Sequence, residues 1–83
     1  MVPSHEINAL RRRFRESQAT HAKRYGVSQP TYARWELWGS PITGMARALF
    51  ETHYPRLTRE ADNAERKARR KSAAANGPQR AAG

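Results

Sequence analysis

A short turn between two capped helices constrains the fold of this chain more than any other feature. It lies within Ser17 to Glu36, SQATHAKRYGVSQPTYARWE. Ser17 can cap a helix from Gln18 to about Tyr25, because its hydroxyl can accept a hydrogen bond from a free N–H of the first turn. Gly26 can end this helix, because glycine readily adopts the left-handed conformation found after many helices.

A second helix is predicted directly after the turn, from Gln29 to about Leu37, with Ser28 as its cap. Pro30 falls in the first turn, where its missing N–H costs no internal hydrogen bond and its fixed φ suits a helix start. Two short helices joined by so tight a turn are typical of a helix-turn-helix.

The residues of this stretch divide between an inner and an outer side. The inner side is predicted to hold four apolar residues: Ala22, Val27, Tyr32 and Trp35. The outer side of the second helix carries Gln29, Thr31 and Arg34. An apolar hinge fixes the angle between the helices and leaves an outer face free to enter a DNA major groove.

Several short motifs at fixed spacing in this stretch resemble the Cro and phage-repressor type of helix-turn-helix, also called the Xre family. They are Ser17-Gln18, Ala22, Gly26-Val27-Ser28 and Trp35-Glu36, together with Leu10-Arg11 before them and Pro41 after them. The resemblance covers roughly residues 5 to 53. It implies an all-α, compact bundle of four to five short helices, similar to lambda repressor, that binds double-stranded DNA.

The resemblance also implies roles for individual residues. Family base contacts fall on Gln29, Pro30 and Arg34, and Pro30 could offer only shape or contact with a thymine methyl group. Arg34 is predicted to be the principal base reader, because its guanidinium suits guanine, with Gln29 and Thr31 assisting. The alternative is that Arg34 contacts a phosphate.

Phosphate contacts are predicted around the same two helices. Gln18 matches a family glutamine that contacts phosphate, and Ser17 and Ser28 either assist it or serve only as caps. Trp38 stands where the family often has glycine. It could pack under the following loop, reach a phosphate or join a subunit contact, and packing is the preferred interpretation.

One structural ion pair is implied as well. In the family, an arginine at the position of Arg11 forms a buried pair with a glutamate at the position of Glu36. Such a pair would tie the first helix to the second helix of the motif, and removing either partner would leave an uncompensated charge.

Two more helices complete the predicted bundle. The first is capped by Ser4 and buries an apolar stripe consisting of Ile7, Leu10 and Phe14. The last is capped by Thr43 and runs to about His53, with an inner stripe of Ala46, Leu49 and Phe50 and with Met45 beside it. Pro55 is predicted to prevent easy continuation.

The chain is therefore divided into three parts. Residues 1–55 form the helix-turn-helix domain, residues 56–75 a basic extension, and residues 76–83 a disordered tail. Thr58 can cap a helix in the extension, but Leu57 is the last large aliphatic residue, so such a helix would be marginal alone. Its basic residues form either a solvated face or an arm that contacts phosphates.

Composition favours a polyanionic partner. The 83 residues carry 16 Lys and Arg against 7 Asp and Glu, a net charge of +9. The absence of cysteine excludes a disulfide framework, a thiol catalyst and cysteine-ligated zinc. No apolar run is long enough to span a membrane, and no secretory signal is visible.

No enzyme, metal or cofactor is predicted. Serine, histidine and acidic residues occur, but none lies in a nucleophile motif or a phosphate-binding loop. The three histidines lack the spacing and neighbours of a metal site. His21 replaces a larger aliphatic residue of the family and is interpreted as a partly buried histidine with a local hydrogen-bond partner.

The sequence thus predicts a transcriptional regulator, most simply a repressor or autoregulator that binds an inverted-repeat operator as a homodimer in the bacterial cytoplasm, associated with the nucleoid through DNA. Small proteins of the resembled type act this way in phages and mobile elements. No small-molecule ligand is evident. The alternative is a protein-interaction or RNA-binding module that uses the second helix of the motif or the basic tail.

Overall fold

The computed structural model describes the backbone of residues 1–82 and the side chains of residues 1–70. Four helices follow one another along the chain: α1 Ser4–Arg13, α2 Gln18–Tyr25, α3 Gln29–Trp38 and α4 Gly44–Ala82. No strand occurs among residues 1–82. The prediction of an all-α fold is confirmed.

The predicted caps set the bounds of α2 and α3. The Ser17 hydroxyl accepts a hydrogen bond from the backbone N–H of Thr20 at 3.2 Å, and Ser28 accepts one from Thr31 at 3.4 Å. Gly26 ends α2 with a φ of 73°, in the left-handed region. Local side-chain chemistry therefore suffices to place the turn between the two helices.

The start of α1 differs from the prediction. Ser4 is the first residue of the helix and not its cap, because Pro3 occupies the cap position and makes no side-chain hydrogen bond there. α4 begins at Gly44, directly after the predicted cap Thr43.

The core is built around an aromatic cluster centred on Tyr25 of α2. Its ring stacks on Tyr32 and Phe50, at centroid distances of 5.8 and 5.9 Å, and meets Trp35 edge-on at 5.1 Å. The remaining buried apolar residues are Ile7, Leu10, Ala22, Leu57 and Ala61. Each of the four helices contributes to this core, and α3 is held against α1 and α2 through its inner face.

The prediction that Pro55 ends the fourth helix near His53 is wrong. The helix continues through Pro55, and Leu57 and Ala61 beyond it lie in the core, fully buried and 4% exposed respectively. Burial of these two side chains favours continuation and opposes the cost of the missing proline N–H. The core therefore does not stop at residue 55.

For the C-terminal residues, from 71 to 82, the structure describes the backbone and not the side chains. Side chains of residues 71–83 lie outside the described residues, as does the backbone of Gly83. A disordered tail is predicted for residues 76–83, whereas the backbone of residues 76–82 is part of α4 and only its side chains are not described. Within the described residues, no helix is both long and apolar enough to cross a membrane.

Candidate nucleic-acid interface

Helix α3 presents a continuous outer stripe opposite its buried face. Tyr32 and Trp35 point into the core. The exposed outer residues are Gln29, Pro30, Arg34, Leu37 and Trp38. Their spacing places Pro30, Arg34 and Trp38 in one row, four residues apart. Thr31 is half-buried at the edge of this row.

A chain of polar side chains fixes the start of α2 against the start of α3. The Gln29 amide donates to the Gln18 carbonyl oxygen at 2.8 Å, and the Gln18 amide donates to Glu36 Oε1 at 3.0 Å. Glu36 in turn binds Arg11 of α1, with Arg11 Nε at 2.6 Å from Oε2 and Nη2 at 3.2 Å from Oε1. This series of hydrogen bonds therefore links Gln29, on the outer face of α3, to the Arg11–Glu36 pair, which is anchored on α1.

Arg11 and Glu36 form the ion pair that the family resemblance implies, and its geometry is bidentate. Burial alone would raise the pKa of Glu36, but hydrogen bonds, led by that from Arg11, lower it to about 2. Asn8 adds a further hydrogen bond to Glu36 Oε1 at 2.9 Å. Glu36 is consequently ionised at neutral pH and accepts from three different side chains at once.

Arg34 differs from most arginines of the domain. Within residues 1–70, its guanidinium makes no hydrogen bond or ion pair. It lines a shallow groove together with Thr31 and Trp38. An arginine in this position can form bidentate hydrogen bonds with a partner without first breaking an internal one.

Trp38 does not pack under the loop, which was the preferred interpretation of the sequence. Its side chain is 75% exposed. The reason is that Trp35, three residues earlier, already fills the inner position of this turn, and the chain leaves α3 at Gly39. The two other predicted roles, a phosphate contact and a subunit contact, remain open to it.

The serine caps use both hydrogen-bonding functions of their hydroxyls. Ser17 Oγ donates to Thr20 Oγ1 at 3.1 Å, and Ser28 Oγ donates to Thr31 Oγ1 at 3.0 Å, while each accepts from a backbone N–H. This geometry favours capping over phosphate binding as the role of both serines. The hydroxyl of Thr31 is held by the hydrogen bond that it accepts from Ser28, the cap of α3.

A second polar cluster, which sequence reasoning missed, holds α2 to the end of α1. Glu16 accepts from Arg24 Nε and Nη2, both at 2.8 Å, and its Oε1 lies 2.9 Å from His21 Nδ1. The hydrogen bond from Arg24 is the main cause that lowers the pKa of Glu16 to about 2. The Arg24 guanidinium also lies 4.3 Å from the ring centre of Phe14.

His21 is more deeply buried than expected. It has the local partner that was predicted, Glu16, but its side chain is fully buried and its Nε2 has no hydrogen-bond partner. Burial lowers its pKa. The one sequence signal for this cluster was the five-residue and eight-residue spacing from Glu16, which belongs to no known motif.

Almost all acidic side chains form ion pairs with arginines of the same chain. Within residues 1–70, Glu6 is the one of the seven that has no arginine partner. Within residues 1–70, the cations left without an acidic partner are Arg12, Arg15, Lys23, Arg34, Arg59, Arg66, Lys67 and Arg70. The net positive charge is therefore displayed outward and is available to a polyanion.

The described residues contain no group of three His, Cys, Asp or Glu side chains that could hold a metal ion. No family model, no curated protein and no solved structure matches this chain. The function must therefore be inferred from the interface itself.

Proposed function

We propose that this chain is a sequence-specific regulator that binds double-stranded DNA by inserting the outer face of α3 into the major groove. The observation that carries the proposal is the exposed stripe of α3, with unpaired Arg34 at its centre, on a helix whose opposite face is buried in the core. A helix supported in this way can enter a groove without losing its own packing.

Arg34 is the principal base reader in this proposal. Its guanidinium can donate two hydrogen bonds to O6 and N7 of guanine, a contact that discriminates by about 1–3 kcal/mol. Gln29, at the start of α3, suits adenine and is held in place by Gln18. Pro30 and Thr31 lie between them and contribute shape or contact with a thymine methyl group.

Gln18 serves as the phosphate clamp. It begins α2, whose free N–H groups favour an anion, and its side chain is fixed by Glu36 and Gln29. Preorganisation of this kind lowers the entropy lost when the phosphate is bound.

Repression by occupation of a promoter is the simplest mechanism for so small a domain. The chain binds as a homodimer to an inverted repeat, because one helix-turn-helix reads only a few base pairs and two recognition helices fit major grooves about one DNA turn apart. It acts in the bacterial cytoplasm, in a phage or mobile element, as proteins of the resembled type do.

Selection of bound duplexes from a random pool tests the proposal. We expect enrichment of an inverted repeat with a guanine in each half-site and half-site centres about 10 base pairs apart. Affinity for the enriched duplex should also fall steeply with salt. A pool that stays random, with salt-insensitive binding to a protein or preferential binding to RNA, would favour the interaction-module alternative.

A further inference from the structure

The large apolar side chains that are exposed in the described residues all belong to one region. They are Met1, Leu37, Trp38, Ile42 and Met45, with exposed fractions from 62% to 88%. Four of them lie on the last turn of α3, the α3–α4 loop and the start of α4, and these four are called here the apolar patch. Contiguous exposed apolar surface of this kind marks an interaction site more often than chance.

The apolar patch is also the least charged part of the chain. Residues 37–46, LWGSPITGMA, form the longest run of the whole sequence without a charged side chain. Arg47 and Glu51 follow, and they form an exposed ion pair at 2.7 Å. The border of the patch therefore carries this pair on one side and the unpaired Arg34 on the other, beside Trp38.

The loop that supports the patch is fixed to the N-terminus. Val2 N donates to Ser40 Oγ and Ser40 N donates to Val2 O, both at 2.9 Å. Gly39 packs so closely that an added Cβ would lie 3.1 Å from Val2 O. Shallow grooves of about 460 and 380 Å³ flank the segment from Ser40 to Ile42. The patch thus has a defined shape with both protruding side chains and recesses.

We infer that the apolar patch is the surface through which two copies of this chain form the homodimer. The inference rests on the proposed function, which requires a dimer, and it assigns the dimer surface. Charge complementarity selects a second copy as the occupant: chains of net charge +9 repel one another over most of their surface. An uncharged face lets two copies meet without placing like charges in direct contact.

The segment after Pro55 is the alternative dimer surface, and the structure makes it less suitable. Its apolar residues Leu57 and Ala61 are buried inside the chain's own core. The residues it exposes include Arg59, Arg66 and Lys67, which would face the same cations of a second copy. The apolar patch is consequently the better interface.

The patch also lies where an operator-bound dimer would need it. α3 has ten residues and is about 15 Å long, and its C-terminal end belongs to the patch. Recognition helices about 34 Å apart lie about 17 Å from the two-fold axis. In a dimer whose α3 helices point toward the axis, half of α3 would cover about 7 Å of this distance and leave about 10 Å for one packed layer of side chains and loop.

Sedimentation equilibrium of the free protein tests the assignment with variants Ile42→Asp and Met45→Asp. Both side chains are mostly exposed, so folding should be retained, which circular dichroism would check. We expect the wild type to dimerise below about 100 μM and each variant to raise the dimer Kd by about 30-fold or more. The matched control is Ala64→Asp, an equal charge change at an exposed position of α4, and it should leave the Kd unchanged.

Two results would overturn the assignment. One is a wild type that stays monomeric at these concentrations and binds DNA as one chain per site. The other is a dimer that forms equally well in both patch variants. Failure of the proposed function is distinguishable, because a wild type that dimerises through the patch but selects no duplex sequence would refute DNA reading and leave the dimer surface intact. Conversely, Met45→Asp changes the dimer surface and not the outer face of α3. Its base preference, measured on a duplex with a single half-site, should therefore equal that of the wild type.

Discussion

Glu36 is the residue on which the position of the recognition helix depends most. It receives hydrogen bonds from Arg11, Asn8 and Gln18, which come from α1 and α2, while it lies itself on α3. Its side chain is 7% exposed, so these partners replace the water that an ionised carboxylate needs. One side chain therefore joins three helices and also fixes the glutamine that is proposed to clamp phosphate.

Replacing Glu36 with glutamine should lower the free energy of unfolding by about 3 kcal/mol, because Arg11 would be left partly buried without its counter-charge. Chemical denaturation with guanidinium or urea measures this change. The matched control is Glu51→Gln, whose carboxylate pairs with Arg47 at 2.7 Å, close to the 2.6 Å of the Glu36–Arg11 pair, but is 56% exposed. It should change stability by less than about 1 kcal/mol. Equal effects of the two variants would show that the buried pair has no special structural role.

At the scale of elements, α2 and α3 could be predicted from sequence and α4 could not. The bounds of α2 and the start of α3 follow from Ser17, Gly26 and Ser28, which act on the backbone within three or four residues of themselves. The continuation of α4 depends on the burial of Leu57 and Ala61 against helices distant in sequence. Local propensity cannot reveal such burial.

Site residues also divide into those whose position could be predicted from sequence and those that required the structure. The exposure of Gln29 and Arg34 follows from helical periodicity, because Tyr32 and Trp35 fix the inner face. The exposure of Trp38 does not, since it depends on where the chain turns away at Gly39. The Glu16 cluster also required the structure, because its partners belong to no recognisable motif.

Replacing Pro55 with alanine should stabilise the protein by about 1–3 kcal/mol. Alanine restores a backbone N–H to the interior of α4 and removes the clash of the proline ring with the preceding turn. Pro55 is exposed, so no core contact is lost. Thermal and chemical denaturation would measure the gain, and Thr52→Ala, at another exposed position of α4, should change stability by less than about 0.5 kcal/mol. A destabilised Pro55→Ala protein would contradict a continuous α4.

At the scale of the whole molecule, charge is divided between internal pairs and an outward positive field. Carboxylates bind arginines that join the helices, such as Arg13 of α1 to Asp62 and Glu65 of α4, at 2.5 and 2.7 Å. The unpaired cations remain on the surface. The same composition therefore serves both to hold the bundle together and to attract a polyanion.

Acid should destabilise the fold over a definite pH range. The pKa values of Glu16 and Glu36 are about 2 in the folded chain, below the ordinary value of 4.5. A depressed carboxyl pKa contributes stability above the unfolded pKa, and this contribution, about 3 kcal/mol for such a shift, is lost as pH falls from about 5 to 2. Burial lowers the pKa of His21, which adds a loss below its ordinary value of 6.5.

Free energies of unfolding measured from pH 7 to pH 3 would check this dependence. They should decline with falling pH in the wild type and decline less in Glu36→Gln, in which one of the two carboxylates no longer titrates. A stability that stays constant between pH 6 and pH 3 would show that these ion pairs do not form in solution.

Deleting residues 66–83 should weaken DNA binding without changing the preferred sequence. The deletion removes six basic residues, Arg66, Lys67, Arg69, Arg70, Lys71 and Arg80. Ala61, the last buried residue among the described side chains of residues 1–70, is retained. Each lost phosphate contact should reduce the slope of log affinity against log salt by about 0.9. A changed base preference would instead show that this segment reads sequence.

The most direct test of base reading by α3 is the ratio of two dissociation constants, for the selected operator and for a shuffled duplex, in wild type and Arg34→Ala. Arg59→Ala, which removes one exposed, unpaired arginine from α4, is the matched control. We expect Arg34→Ala to lose about 1–3 kcal/mol of discrimination per half-site, with relaxed preference at one guanine, while Arg59→Ala keeps the ratio. If Arg34→Ala weakened binding to both duplexes by the same factor, Arg34 would be a phosphate contact and α3 would not read DNA through it.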